Sequence, residues 1–239
     1  PQMAPLGSGS DYTAFLDHLG VPSMDVDFSG RYGVYHSIYD DFHWMEKHGD
    51  PEFLTHATAA RLYVAILMRA AGADVLPLRF TPYAQALRSY VDELRLLRAR
   101  QVRRAASPAP DEGFEGLTTL ADAALAFDAE ARKLDDALNA LDRRDGARPE
   151  KLEALNEALT RIERAFLLPD GLAGRPWFRH SVFAPGLTTG YACWPLPAVR
   201  EAIELNRPDQ LKAAIPATAQ ALACAAAAIA QAAAVAAQP

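Results

Sequence analysis

Histidine and carboxylate side chains are the first places to look for chemistry in this sequence. His36 and Asp40 stand four residues apart, which puts two metal-ligating groups on one face of a helix, and His43 and His48 follow closely. Spacing alone decides nothing here. Six histidines in 239 residues is an ordinary number, and solvated or packed neighbours account for such spacings as well as ligation does. Asp40 and Asp41 read equally as a helix start, where the macrodipole favours negative charge. Cys193 and Cys224 are too few for a disulfide framework and lack metal-site spacing. No nucleophile elbow, phosphate-binding glycine loop or H-E-x-x-H motif occurs.

The elements that must carry these residues fall into two groups. In the first, Asp11 to Leu19 reads as a short helix with a capping signal at Ser10 and a stop at Gly20. Pro22 to Phe28 alternates Met24, Val26 and Phe28 with Asp25 and Asp27, the period of a strand. A glycine- and aromatic-rich loop follows over 29–37, then a short helix over 41–48. A longer helix begins at Asp50-Pro51 and runs to Ala71; its broadly apolar sequence predicts burial on more than one side. A single strand leaves its backbone edges unpaired, so this segment is expected to need neighbours from sequence before Pro1.

Beyond Leu76-Pro77 the character changes. Residues 80–107, 114–142 and 149–167 predict three long amphipathic helices, and an alanine-rich helix from about Asp209 makes a fourth, which favours an up-down bundle. A proline- and glycine-rich insertion over 169–197 interrupts them. Residues 1–79 carry 5 basic and 10 acidic groups, against 19 and 20 over 80–239, so the boundary is expected near 79. The chain is 50% hydrophobic and 23% charged with net charge −6, a globular composition without the basic stripe of a nucleic-acid binder. Ala213 to Gln238 is uncharged. Alanine is only weakly apolar, and Pro216, Thr218, Gln220 and Gln231 interrupt the run, so it reads as a packed helix in water with Ile215, Leu222 and Ile229 on one seam, not as a membrane span.

Taken in order, Leu6-Gly7-Ser8-Gly9-Ser10-Asp11, Tyr35-His36-Ser37-Ile38-Tyr39, Asp50-Pro51-Glu52-Phe53, Arg164-Ala165-Phe166 and Arg175-Pro176-Trp177-Phe178-Arg179-His180 resemble the C-terminal part of the glutamate carboxypeptidase II and transferrin receptor family. The resemblance implies a mainly α chain. A four-helix up-down dimerisation bundle over 80–239 would follow an incomplete α/β segment, 1–79, from the end of a zinc-peptidase α/β/α domain. It implies that His36 is the last ligand of a two-zinc site and that Tyr35 donates to the tetrahedral intermediate. Gly9 and Ser10 would lie where the chain passes close to a peptide substrate, and Tyr191 of the insertion would reach the substrate carboxylate. The other ligands and the general-base glutamate lie upstream in the family, so this polypeptide alone is expected neither to hold zinc tightly nor to hydrolyse peptides. Homodimerisation through the helices is implied. Family members are commonly exported, but the compartment stays open. The sequence also departs from the glutamate-selective pattern: Gly190 stands where that enzyme has a lysine, and Asp25 and Asp27 stand where it has arginines. The alternative is a non-catalytic, receptor-like or interaction module of the same superfamily; retention of His36 favours the peptidase.

Overall fold

The computed structural model describes residues 4–104, 112–141 and 149–238. The chain is mainly helical and divides into two compact units, Asp25–Pro77 and the remainder. Residues 4–24 therefore cluster with the helices after Leu78 and not with 25–77.

In the smaller unit the sequence alternation at Met24, Val26 and Phe28 predicts a strand, and the structure corrects this. Residues 20–30 form no ladder, and no strand is present among the described residues. The chain at Val26 is instead tied to a side chain: its N–H donates to the Tyr63 hydroxyl at 3.0 Å, which donates to the Val26 carbonyl at 2.8 Å. A backbone without a neighbouring strand satisfies its polar groups by such local means. Helix α1 (Phe42–Trp44) is capped by Asp41, whose carboxylate accepts from Trp44 N at 2.8 Å, and it continues as a π-helical turn, Met45–Gly49. Helix α2 (Leu54–Ala71) starts after Phe53, which sits at φ 52° and offers no cap. Asp50 takes over that role. Its carboxylate accepts from Thr55 N, His56 N and His56 Nδ1 at 3.2, 2.9 and 2.7 Å. The His56 hydrogen bond above all lowers the Asp50 pKa to about 2. The burial expected of α2 is a second correction: none of its residues is buried, and Val64, Leu67 and Met68 form an exposed apolar stripe.

The larger unit contains α3 (Thr81–Arg104), α4 (Glu112–Leu141), α5 (Pro149–Arg164), α6 (Pro197–Glu204) and α7 (Pro208–Ala237). The two joints predicted at Ser107–Pro110 and Arg144–Gly146 lie outside the described residues. On α4, Leu117, Leu120, Ala124, Phe127, Ala131, Leu134, Leu138 and Leu141 alternate steps of three and four, and all are buried. That spacing makes one continuous apolar stripe, which packs α4 against α7 and α3. Along α7, Ile215, Leu222 and Ile229 are buried as the seam predicts, and Leu211, outside that repeat, is buried as well. By length and composition α7 is also apolar enough to cross a membrane. Gly116 lets α4 and α7 approach, since a Cβ there would stand 2.7 Å from Ile215 Cδ1. Helix α3 borrows its N-terminal cap from α4: the Asp135 carboxylate accepts from Phe80 N at 3.1 Å and Thr81 N at 2.9 Å.

Candidate functional site

The non-helical stretch between α5 and α6 carries Tyr191, and a buried histidine organises it. His180 is fully enclosed, its ring stacked between Phe166 and Phe183 with centroids 5.6 and 5.3 Å away. Val182 N and Phe183 N both donate to its Nδ1 at 3.1 Å, so that nitrogen must be unprotonated. The proton then resides on Nε2, which donates to Glu163 Oε1 at 3.0 Å. Tyr83 reaches the same oxygen at 3.4 Å, and its pKa is raised chiefly by burial and secondly by the Glu163 charge. Isolated bridges pair Leu167 with His180, Leu172 with Arg175, and Pro185 with Cys193.

The N-terminal strap, residues 4–24, lies on this scaffold. Ser8 N donates to the Tyr191 carbonyl at 2.9 Å. The approach at Gly7 is closer than any side chain allows, because a Cβ there would be 1.8 Å from the Tyr191 carbonyl oxygen and 2.8 Å from Cys193 N. A Cβ on Gly9 would meet Tyr191 Cβ at an ordinary 3.7 Å, and Gly9 N donates to the Tyr12 hydroxyl at 3.3 Å. Ser10 opens the following turn, its carbonyl accepting from Thr13 N and Oγ1 at 3.1 and 2.7 Å. The structure thus brings Gly9 and Tyr191 side by side, with Ser10 next in chain. The Tyr191 ring is exposed. Gly190 before it has φ 62°, a conformation that disfavours a side chain although no atom stands in the way.

Below the strap sit charged groups that sequence reasoning misses. The Asp17 side chain is fully buried, and neither carboxyl oxygen has a hydrogen-bond partner among the described residues. Burial pushes its pKa up to about 7 against the opposing pull of Arg175. Arg175 donates to the Pro185 carbonyl at 2.8 Å, pairs with Glu201 of α6, and lies over the Phe178 ring at 5.2 Å. Burial likewise raises Glu201, and it takes the Cys193 thiol to about 12, so that sulfur is no nucleophile. Arg175 and His180 belong to a motif legible in the sequence, whereas nothing about Asp17 in its turn distinguishes it from a solvated carboxylate.

Tyr35 and His36 lie in the 25–77 unit. Their rings stack at 3.9 Å and are exposed. His36 adopts φ 61°, and its N–H donates to Asp40 Oδ2 at 3.1 Å, so the predicted i, i+4 pair meets through backbone and not as two ligands. Among the described residues, no group of three or more His, Cys, Asp or Glu is placed to hold a metal ion. An exposed imidazole is a serviceable single zinc donor. Alone it makes no zinc site, which takes about three protein ligands per ion. Asp25 Oδ1 lies 3.3 Å from the Tyr63 hydroxyl, whose one proton goes to the nearer Val26 carbonyl.

Comparison with known sequences adds the context. Residues 112–230 match the transferrin receptor-like dimerisation domain. A probable glutamate carboxypeptidase, LAMP1, of Arabidopsis thaliana is 33% identical over 198 residues, covering 83% of this chain and 27% of the relative. A probable glutamate carboxypeptidase of Arthroderma benhamiae is 33% identical over 207 residues, covering 83% and 26%. The aminopeptidase NAALADL1 of Rattus norvegicus is 31% identical over 208 residues, covering 82% and 26%. The chain spans about a quarter of the length of these relatives.

Proposed function

The chain belongs to the glutamate carboxypeptidase II and transferrin receptor-like family, and from that membership we propose that it is the C-terminal part of a zinc-dependent exopeptidase. Residues 1–79 would close the peptidase domain. Residues 80–239 would form the up-down dimerisation bundle, with the 169–197 insertion facing substrate. The observation that carries the reading is the seating of Gly9 beside Tyr191, which makes one wall from two segments 182 positions apart that the resemblance assigns to substrate. His36 would contribute one zinc donor and Tyr35 a hydroxyl beside it; both are exposed, as groups awaiting the rest of a site would be. The exposed stripe of Val64, Leu67 and Met68 on α2 fits a domain that continues against further chain. With Asp25 and Asp27 in place of cations, the parent would disfavour acidic substrates.

Light scattering on the pure chain, with and without zinc, tests the assembly half of this proposal. A zinc-independent dimer of twice 25.9 kDa is expected. A monomer at all accessible concentrations would refute self-sufficient dimerisation by the helices. Peptidase activity from the chain alone would refute the division of the site, and a full-length parent that prefers acidic to neutral dipeptides would refute the specificity. The receptor-like reading gains if His36→Ala leaves the parent's zinc content unchanged.

A further inference from the structure

The strap over residues 4–24 is held at several points. Asp17 is the one with a chemical condition attached. Its carbonyl accepts from both Arg179 N and His180 N, at 2.8 and 3.0 Å. His18 Nδ1 donates to the Trp177 carbonyl at 2.8 Å, with the two rings stacked at 5.0 Å. Gly20 lies against Arg164, whose Cα would be 2.8 Å from an added Cβ. Between these ties the Asp17 side chain is sealed from solvent with both oxygens unpartnered among the described residues. An anion in that position has lost its hydration and gained no hydrogen bond, whereas the neutral acid loses far less.

The surrounding charges do not rescue the anion. Arg175 is the cation that acts on Asp17, but its two terminal nitrogens are committed to Glu201 and the Pro185 carbonyl, and its buried Nε makes no hydrogen bond to Asp17. Cys193, on the other side, is a neutral thiol. Arg200 of α6 acts on Cys193, and its guanidinium bonds Glu93 at 3.3 Å and stacks near Trp194. Arg179 and His180 offer Asp17 only their backbone N–H groups, since the Arg179 Nε turns to the Leu168 carbonyl and the His180 ring to Glu163.

We propose that Asp17 is a positioning residue whose protonated carboxyl keeps the strap, with Gly9 and Ser10, seated on the Tyr191 loop, and that ionisation releases it. The functional consequence rests on the proposed reading of Gly9, Ser10 and Tyr191 as a substrate wall; the seating itself does not. The sign follows from the two states. Seated, Asp17 keeps its proton up to about pH 7; released into water it would lose it near its ordinary 3.8. Release is therefore favoured by about tenfold per pH unit between those limits and changes no further above them.

Amide hydrogen exchange on the full chain from pH 4 to 8 tests this, after division by intrinsic exchange rates. Protection of Ser8, Arg179 and His180 is expected to fall by about tenfold per pH unit up to pH 7 and then level. The Asp17→Asn variant, an uncharged isostere, should hold protection flat. A flat wild-type profile, or the same slope in Asp17→Asn, overturns the proposal. Should that variant fail to fold, carbon-13 titration of the wild-type Asp17 carboxyl decides: a midpoint near 7 supports it and one near 4 overturns it. If Tyr191→Phe leaves the parent's turnover and KM untouched, the substrate-wall reading falls while the exchange result stands.

Discussion

Replacing Gly7 by alanine adds one methyl group where the backbone has no room for it. The new Cβ would lie 1.8 Å from the Tyr191 carbonyl oxygen and 2.8 Å from Cys193 N, both backbone atoms that cannot rotate aside. Relief to even a tight contact of 3.0 Å requires the strap and the Tyr191 loop to separate by about 1 Å. That movement breaks the Ser8 N to Tyr191 bond, worth about 0.5–1.5 kcal/mol, and adds overpacking strain of about 1–3 kcal/mol. Together they predict a loss of about 1.5–4.5 kcal/mol, read as a fall of roughly 3–18 °C in the midpoint of thermal unfolding. Gly9→Ala is the matched control. Its Cβ meets Tyr191 at 3.7 Å, an ordinary contact, so its change should stay within about 0.5 kcal/mol. If the proposed substrate wall is right, a displacement of about 1 Å there would lower kcat/KM of a complete parent enzyme by up to about 100-fold in Gly7→Ala. Equal stabilities for the two variants, or a Ser8 amide still protected from exchange in Gly7→Ala, would refute the close approach.

Removing Asp135 should uncap α3 from a distance: Asp135→Ala leaves Phe80 N and Thr81 N without their acceptor, and a loss of about 2 kcal/mol in urea unfolding is expected. A change below about 0.5 kcal/mol would mean that water serves as well. At α2 the sign runs with acid. Asp50 is lowered to about 2, so its support of the helix start is complete above pH 3.8 and is lost as pH falls through 2. Circular dichroism should show helix loss over that window, and Asp50→Asn should already show it at neutral pH. An acid transition of the same size in the variant would remove Asp50 as its cause.

The helices were legible because their burial obeys a period. Leu117 to Leu141 repeat in steps of three and four, and each proves to be inside. The seam of Ile215, Leu222 and Ile229 reads the same way. Period-two alternation at Met24, Val26 and Phe28 is weaker evidence, since a strand exists only when a partner offers it a ladder, and Tyr63 takes that role here. Apolar content misleads at α2 for a related reason: it states what a helix prefers to touch, not whether the touching surface is present. At the candidate site, Gly9 and Tyr191 were associated only through the family resemblance, because no local pattern links residues so far apart. Asp17 was invisible. Its burial depends on Arg179 and His180 reaching its carbonyl from the far end of the chain.

The borrowed cap on α3 has a bearing on the order of synthesis. Asp135 follows Phe80 by 55 positions, so all of α3 is synthesised before the side chain that completes its first turn exists. Until α4 has emerged and docked, the N-terminal turn of α3 has no such acceptor and remains open to water. The two helices then mature as a pair and not in succession, and a chain truncated after Arg104 should carry an α3 with a frayed start. The same dependence makes the α3 start a reporter of when the second helix arrives.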